Sequence, residues 1–260
     1  MVEWGDEFIT RWIMTQAEAV ILTLEKLGGI ATLGQLNQEV FKIKECEWKT
    51  KTPFASIRRI VQLNKNIYKI KPGLYALKSF QKELEAKGFF IESEKNANSK
   101  EMLMFNHSYY QGLLLEIGNL KLKKTFVPNQ DKNKLFLHQT LGDIRTLDNL
   151  PKFSYDFLVQ RSSTIDVIWF NDRNMLDSLF EVEHSTDIQN SLLKFNDLQD
   201  FYTNMYIVAD KKRKDEYNKK IAYSSFTDLT KNKRVKFLSY DNLIELYNME
   251  IKKQSLPITI

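Results

Sequence analysis

Three carboxylates in the 260-residue chain sit in or beside apolar runs. Asp166 falls within Ile165-Asp166-Val167-Ile168-Trp169-Phe170. Glu181 and Glu183 close Ser178-Leu179-Phe180-Glu181-Val182-Glu183, so the pattern reads D-x14-E-x-E. A carboxylate in an apolar strand is costly unless something compensates it, and a divalent cation is the simplest compensator. One Cys and three widely spaced His residues (His107, His138, His184) provide no zinc cage, so hard oxygen ligands point to magnesium, with manganese as the second choice. The chemistry such a site performs is in-line attack of water on a phosphodiester, with the cation stabilising the developing charge. The competing reading makes Glu181 and Glu183 the polar face of an antiparallel edge strand, with Asp166 beside a turn.

The elements that must position these groups are legible around them. Residues 165–170 form a nearly continuous apolar run and hence predict a central strand of a sheet. Asn171-Asp172-Arg173-Asn174 marks a turn into a second strand at 178–183. Period-two alternation puts Phe180 and Val182 on one face and Glu181 and Glu183 on the other, the two glutamates about 7 Å apart. Downstream, the patterning predicts a helix at 185–200, a strand at 205–209, a basic helix at 211–222, a strand at 235–238 and a helix at 240–248 begun at Asp241. Upstream, Tyr110, Leu113, Leu114, Ile117 and Leu120 share a helical stripe over 108–123, followed by a short strand at 126–128. The stretch 129–160 is polar and turn-rich and predicts no element. This is the pattern of an α/β core.

Charge separates a first domain from this core. The chain carries 38 Lys+Arg against 33 Asp+Glu, a net charge of +5 and a pI near 9.0, which alone names no partner. Residues 41–80, however, hold ten basic residues against Glu45 and Glu47. A second basic cluster spans 210–237, with even claims as a solvated face. Within the first cluster's neighbourhood the sequence predicts helices at 14–27, ended by Gly28-Gly29, and from Thr32 to about 43. A third helix follows Thr52-Pro53, with Ile57, Ile60, Val61 and Leu63 as its stripe. Ile67-Tyr68-Lys69-Ile70 and Leu74-Tyr75-Ala76-Leu77 then read as a hairpin turned at Lys71-Pro72-Gly73. Residues 92–100 carry no apolar side chain larger than that of Ala97 and predict a linker. The expected organisation is a first domain at 1–90, a linker at 91–100 and a second domain at 101–260. The acidic N-terminus, Met1 to Glu7, has no signal-peptide character and no 18-residue apolar stretch follows, so a cytoplasmic protein with no membrane partner is expected.

The order of three helices and a hairpin over residues 14–78 resembles a winged helix-turn-helix. In that family the third helix enters the major groove and the wing touches the backbone. The resemblance makes Lys51, Ser56, Arg58 and Arg59 on the helix, with Lys69 and Lys71 on the hairpin, the candidates for contact with double-stranded DNA. A basic face used only for protein contacts is the alternative.

The second domain resembles the PD-(D/E)XK nuclease superfamily, on "QGLLLEIGN" (111–119), "IDVIWF" (165–170), "FEVEHST" (180–186) with "LLKFNDL" (192–198), and "MYIVADKKRKDE" (205–216). The resemblance implies a restriction-endonuclease-like mixed sheet flanked by helices, preceded by the small winged-helix domain. It also implies Asp166 and Glu181 as metal ligands and a magnesium-dependent type II restriction endonuclease, with a homodimer as the means of cutting both strands. Glu183 stands where the superfamily usually has Lys. Lys194 on the following helix is the candidate for the missing charge, and Glu116 on the earlier helix is an extra carboxylate. His184, beside Glu183, is either a general base or a structural hydrogen-bonding group, the latter favoured. Competing functions are a repair or modification-dependent nuclease, and a DNA-binding regulator whose nuclease-like domain is inactive.

Overall fold

The computed structural model describes residues 14–93, 95–97, 99–231 and 233–255. The acidic start at Met1 to Glu7 lies outside them, as do Glu94 and Asn98 of the expected linker. Among the described residues no helix is long and apolar enough to cross a membrane.

The N-terminal part runs α1 (Gln16–Lys26), β1 (Ile30–Thr32), α2 (Leu33–Glu39), α3 (Pro53–Leu63), β2 (Ile67–Lys71), β3 (Leu74–Leu77) and α4 (Gln81–Ala86). Thr15 and Thr32 start their helices through capping boxes with Glu18 and Gln35, each satisfying backbone N–H groups that a first turn leaves unpaired. Pro53 begins α3 where its missing N–H costs nothing. Ala19, Val20, Leu24, Leu36, Ile57 and Val61 meet in one core under the antiparallel sheet β1-β3-β2. Leu63, expected on the apolar stripe of α3, is instead 68% exposed. As the last residue of the helix it projects beyond the sheet that covers Ile57 and Val61.

The remainder begins with α5 (Lys100–Leu120), eight residues earlier than the apolar stripe alone predicts. Ser99 caps it by accepting from the Met102 N–H, and Met102, Phe105 and Tyr109 extend the buried face through the segment. Next come β4 (Lys124–Phe126), the small hairpin β5 (Leu135–Phe136) and β6 (Gln139–Thr140), α6 (Leu141–Ile144) and α7 (Asp156–Ser162). The carboxylate-bearing strands follow as β7 (Val167–Phe170) and β8 (Leu176–Glu183). The chain finishes with α8 (Ile188–Asp197), β9 (Asn204–Ala209), α9 (Lys214–Ile221), α10 (Thr227–Lys231), β10 (Val235–Ser239) and α11 (Tyr240–Ser255).

Five strands form a mixed sheet in the order β10-β9-β8-β7-β4. β7 pairs antiparallel with β4 and β8, whereas β9 runs parallel to both β8 and β10. Val167, Trp169, Phe180 and Val182 face α5 and α11 on one side. Ile168, Phe170, Leu179 and Ile207 meet α8 and α9 on the other. Two layers of helices therefore bury both faces of the sheet, which explains why β7 reads as an unbroken apolar run. The edge-strand reading of Glu181 and Glu183 fails here, because β8 lies between β7 and β9 and both side chains are buried.

The sheet's α5 side also receives the N-terminal part. Ile30, Ile70, Leu74 and Ala76 join the cluster containing Tyr109, Leu113 and Tyr247. Gly73, at φ +76°, turns the β2–β3 hairpin against the Ile244 side chain of α11, where a Cβ would collide. The hairpin tip thus points into the protein, which bears directly on Lys71.

Candidate active site

Alternation along β8 places Glu181 and Glu183 on the face covered by α8. There the Lys194 ammonium donates to both Glu181 oxygens, at 2.8 and 3.0 Å, and to the Thr164 carbonyl at 2.8 Å. Ser191, one turn earlier on α8, donates to Glu181 at 3.0 Å and also to Glu183. Glu183 accepts further from Thr186, with an Arg213 guanidinium nitrogen 3.9 Å away. Nothing in the D-x-E spacing announces Ser191 or Arg213; they arrive by the turn into α8 and by the crossover through β9.

Asp166 sits just before β7. One carboxylate oxygen accepts from the Val182 N–H at 2.7 Å, which fixes it on the backbone between Glu181 and Glu183. The other lies 3.4 Å from His107 Nε2 of α5, and His107 is also 3.8 Å from Asp131. Asp131 comes from the turn after β4. It is buried, held by Gln111 at 2.7 Å and by Lys134 at 2.6 Å. One oxygen of each Asp and a ring nitrogen of His107 all fall within 4.8 Å of one another, so the three could hold a metal ion together. Oxygen and imidazole donors fit a divalent cation. Neither His107 nor Asp131 belongs to a motif in the sequence. The visible signal was weak: His107 and Gln111 are polar residues four apart in an apolar helix.

The electrostatics follow from crowding of acids away from water. Burial by itself raises Asp166, but the charge of His107, its hydrogen bond and the Val182 N–H outweigh that and hold it below the ordinary range. Burial, then the neighbouring Asp166 charge, push Glu181 well above the ordinary carboxylate range, with Lys194 opposing. Burial would lower His107, yet the Asp166 and Asp131 carboxylates prevail and raise it. Glu181 is thus the acid left short of positive charge, whereas Asp166 is compensated by His107 and the Val182 N–H.

Glu116 does not join this group. It lies farther along α5, half-buried, and accepts from the Tyr247 hydroxyl of α11, which also contacts Thr32 of the N-terminal part. Burial pushes its carboxyl up to about 7. The five-residue step from Gln111 to Glu116 rotates it to another face of the helix. His184 lies beside the site, its ring nitrogens 3.1 Å from Asn106 Nδ2 and 3.3 Å from the Tyr240 hydroxyl, and Tyr240 donates to the Glu183 carbonyl. That arrangement is structural in form.

Lys51, Arg58, Arg59 and Lys69 are exposed, and Ser56 is half-buried on α3. Arg58 and Arg59 border a groove of about 490 Å³ whose other wall is Glu245, Met249 and Lys252 of α11. Lys71 differs from the expectation of an exposed wing residue. It is 4% exposed, paired with Glu92 at 3.2 Å, bonded to Asn106 and set over the Phe105 and Tyr110 rings, because the hairpin tip turns inward.

Residues 91–258 match the family of the type II restriction enzyme NmeDI C-terminal domain, and the chain belongs to that family. One relative is the type II restriction enzyme NmeDI of Neisseria meningitidis serogroup C, 30% identical over 106 residues, covering 39% of this chain and 29% of that enzyme. The match therefore spans less than a third of the relative's length. No solved structure matches the chain.

Proposed function

We propose that the protein is a divalent-cation-dependent endonuclease of the PD-(D/E)XK type that hydrolyses double-stranded DNA at a specific sequence, as a type II restriction enzyme. The observation that carries this reading is the ion pair between Glu181 and Lys194, beside Asp166, within a domain of a restriction-enzyme family. A magnesium or manganese ion, when bound, supplies Lewis-acid stabilisation of the charge that develops on the scissile phosphate.

The side chains have distinct tasks in this reading. Asp166 and Glu181 hold the cation, Asp166 preset by the Val182 N–H. Lys194 fills the place of the superfamily's strand lysine from α8, its ammonium oriented by Glu181 and the Thr164 carbonyl. Such preorganised charge acts without rearrangement during the reaction. Glu183, bound by Ser191 and Thr186, holds the start of α8 to the end of β8 and so positions Lys194. Glu116 is assigned no catalytic task. Lys51, Ser56, Arg58, Arg59 and Lys69 contact DNA from a winged helix-turn-helix, while Lys71 supports the hairpin from inside. One such site cuts one strand, so a homodimer is the natural arrangement for double-strand cleavage.

Incubation of the protein with plasmid DNA, methylated and unmethylated, in magnesium or manganese tests the reading, beside Asp166→Asn and Glu181→Gln. Discrete fragments from the wild type alone are expected. Absence of cleavage with retained DNA binding would favour a regulator with an inactive nuclease-like domain, a reading that Glu183 in the lysine position supports.

A further inference from the structure

The groove between α3 and α11 has no part in cleavage, yet its lining is chemically specific. Its volume of about 490 Å³ falls in the range of small-ligand sites. Arg58 and Arg59 line it from α3 and Lys252 from α11; all three are exposed, and none pairs with an acid among the described residues. Phe54 and Met249 add apolar surface, the latter 57% exposed on α11. Asn37 of α2 lines the same groove although only 8% exposed, and its Oδ1 has no hydrogen-bond partner. A buried amide oxygen left unpaired costs roughly 1–3 kcal/mol in general, unless a donor reaches it. The Glu245 carboxylate, also lining the groove, has no cationic partner among the described residues.

Cations alone would describe a surface for phosphate. Two acceptors in want of a donor, beside those cations and an apolar wall, call for a ligand that joins a phosphate to a flat ring bearing N–H groups. We propose that the groove takes one unpaired nucleotide, displaced from the DNA strand that α3 contacts, whose base carries an amino group. Its phosphate meets Arg58, Arg59 and Lys252, its ring lies against Phe54 and Met249, and its amino group donates to Asn37 Oδ1 and Glu245. Adenine, cytosine and guanine have that group. Thymine offers one N–H between two carbonyl oxygens, which the Glu245 carboxylate repels. A space of this size admits a nucleotide and excludes a duplex. The proposal rests on the winged helix holding DNA and is independent of cleavage.

Binding of the full-length protein, without divalent cation, to three short duplexes tests it: one fully paired, one with a single unpaired deoxycytidine and one with a single unpaired deoxythymidine. The cytidine duplex should bind about tenfold tighter than the thymidine duplex, the scale of one buried hydrogen bond to a charged or unpaired group. Asn37→Leu removes the unpaired amide at nearly constant volume, so it should abolish the preference without lowering the thermal unfolding temperature. Should that variant not fold, Glu245→Leu, at an exposed position, should likewise lower the preference. Equal affinity for the two unpaired nucleotides, or a preference that survives both substitutions, overturns the proposal. Salt-dependent binding of the paired duplex together with equal affinities keeps the winged-helix reading and removes only the groove. Failure to bind any duplex removes both. If no duplex binds but deoxycytidine monophosphate shifts the amide resonances of α3 and α11, the groove is a free-nucleotide site and the displaced-strand assignment falls.

Discussion

Lys194 donates to both carboxylate oxygens of Glu181, at 2.8 and 3.0 Å, and so ties the last turn of α8 to the central strand β8. The pair is buried on the glutamate side and partly open on the lysine side, with side-chain exposures of 3% and 24%. A charge held there is reachable by an incoming phosphate yet fixed in position. Lys194→Met should therefore lower the single-turnover cleavage rate by about 100-fold or more, the scale for loss of a preorganised stabilising charge. DNA affinity without cation should change far less. A loss below about threefold would show that Lys194 has no part in the chemistry.

Lys71 and the exposed basic residues should separate cleanly by salt dependence. Each of Lys51→Ala, Arg58→Ala and Arg59→Ala should weaken DNA binding and reduce the slope of log affinity against log salt by about one. Lys71→Met should leave that slope unaltered, since the ammonium is buried against Asn106 and Glu92. Its effect should appear in urea unfolding as a loss of about 2 kcal/mol from the unpaired buried amide. A reduced salt slope for Lys71→Met would place its side chain on the DNA.

Glu116 gives the fold a pH dependence. Its carboxyl is raised from an ordinary 4.5 to about 7 by burial, so the folded state prefers it protonated. The associated stability is fully present below about pH 4.5 and is lost as pH rises through 7, amounting to roughly 3 kcal/mol. Glu116→Gln should retain the bond with Tyr247 and abolish that part of the decline. Chemical denaturation of both proteins between pH 5 and 8.5, about the range over which such a group titrates, measures the difference. Parallel stability curves would refute the assignment.

Gly112 lies where α5 crosses the β5–β6 hairpin, and a Cβ there would enter the Phe136 ring. Phe136 is itself buried and stacked on Tyr109 at 5.8 Å, so it has little room to yield. Gly112→Ala should cost about 1–3 kcal/mol despite its better helix propensity. A more stable variant would mean that the hairpin shifts freely.

Local order was largely readable from the chain because it depends on neighbours in sequence. Thr32 and Thr52-Pro53 announced their helices, the Pro-Gly turn announced its hairpin, and alternation in β8 separated Phe180 and Val182 from the two glutamates. The start of α5 was missed because residues 99–109 mix buried Met102 and Phe105 with Asn106, His107 and Ser108, which blurs the apolar stripe. Two polar residues of that stretch line the interior.

What determined the identity of the candidate site was not spacing alone. The sequence by itself brought Asp166 near Glu181, since a turn between adjacent strands leaves few other arrangements. Only the tertiary structure decided that His107 and Asp131, 59 and 35 residues upstream, face Asp166, that Glu116 faces Tyr247, and that Lys71 points inward. Those outcomes depend on how α5 packs across the sheet and how Gly73 docks against α11. Side-chain periodicity reports which face of an element is buried, but not which distant element covers it.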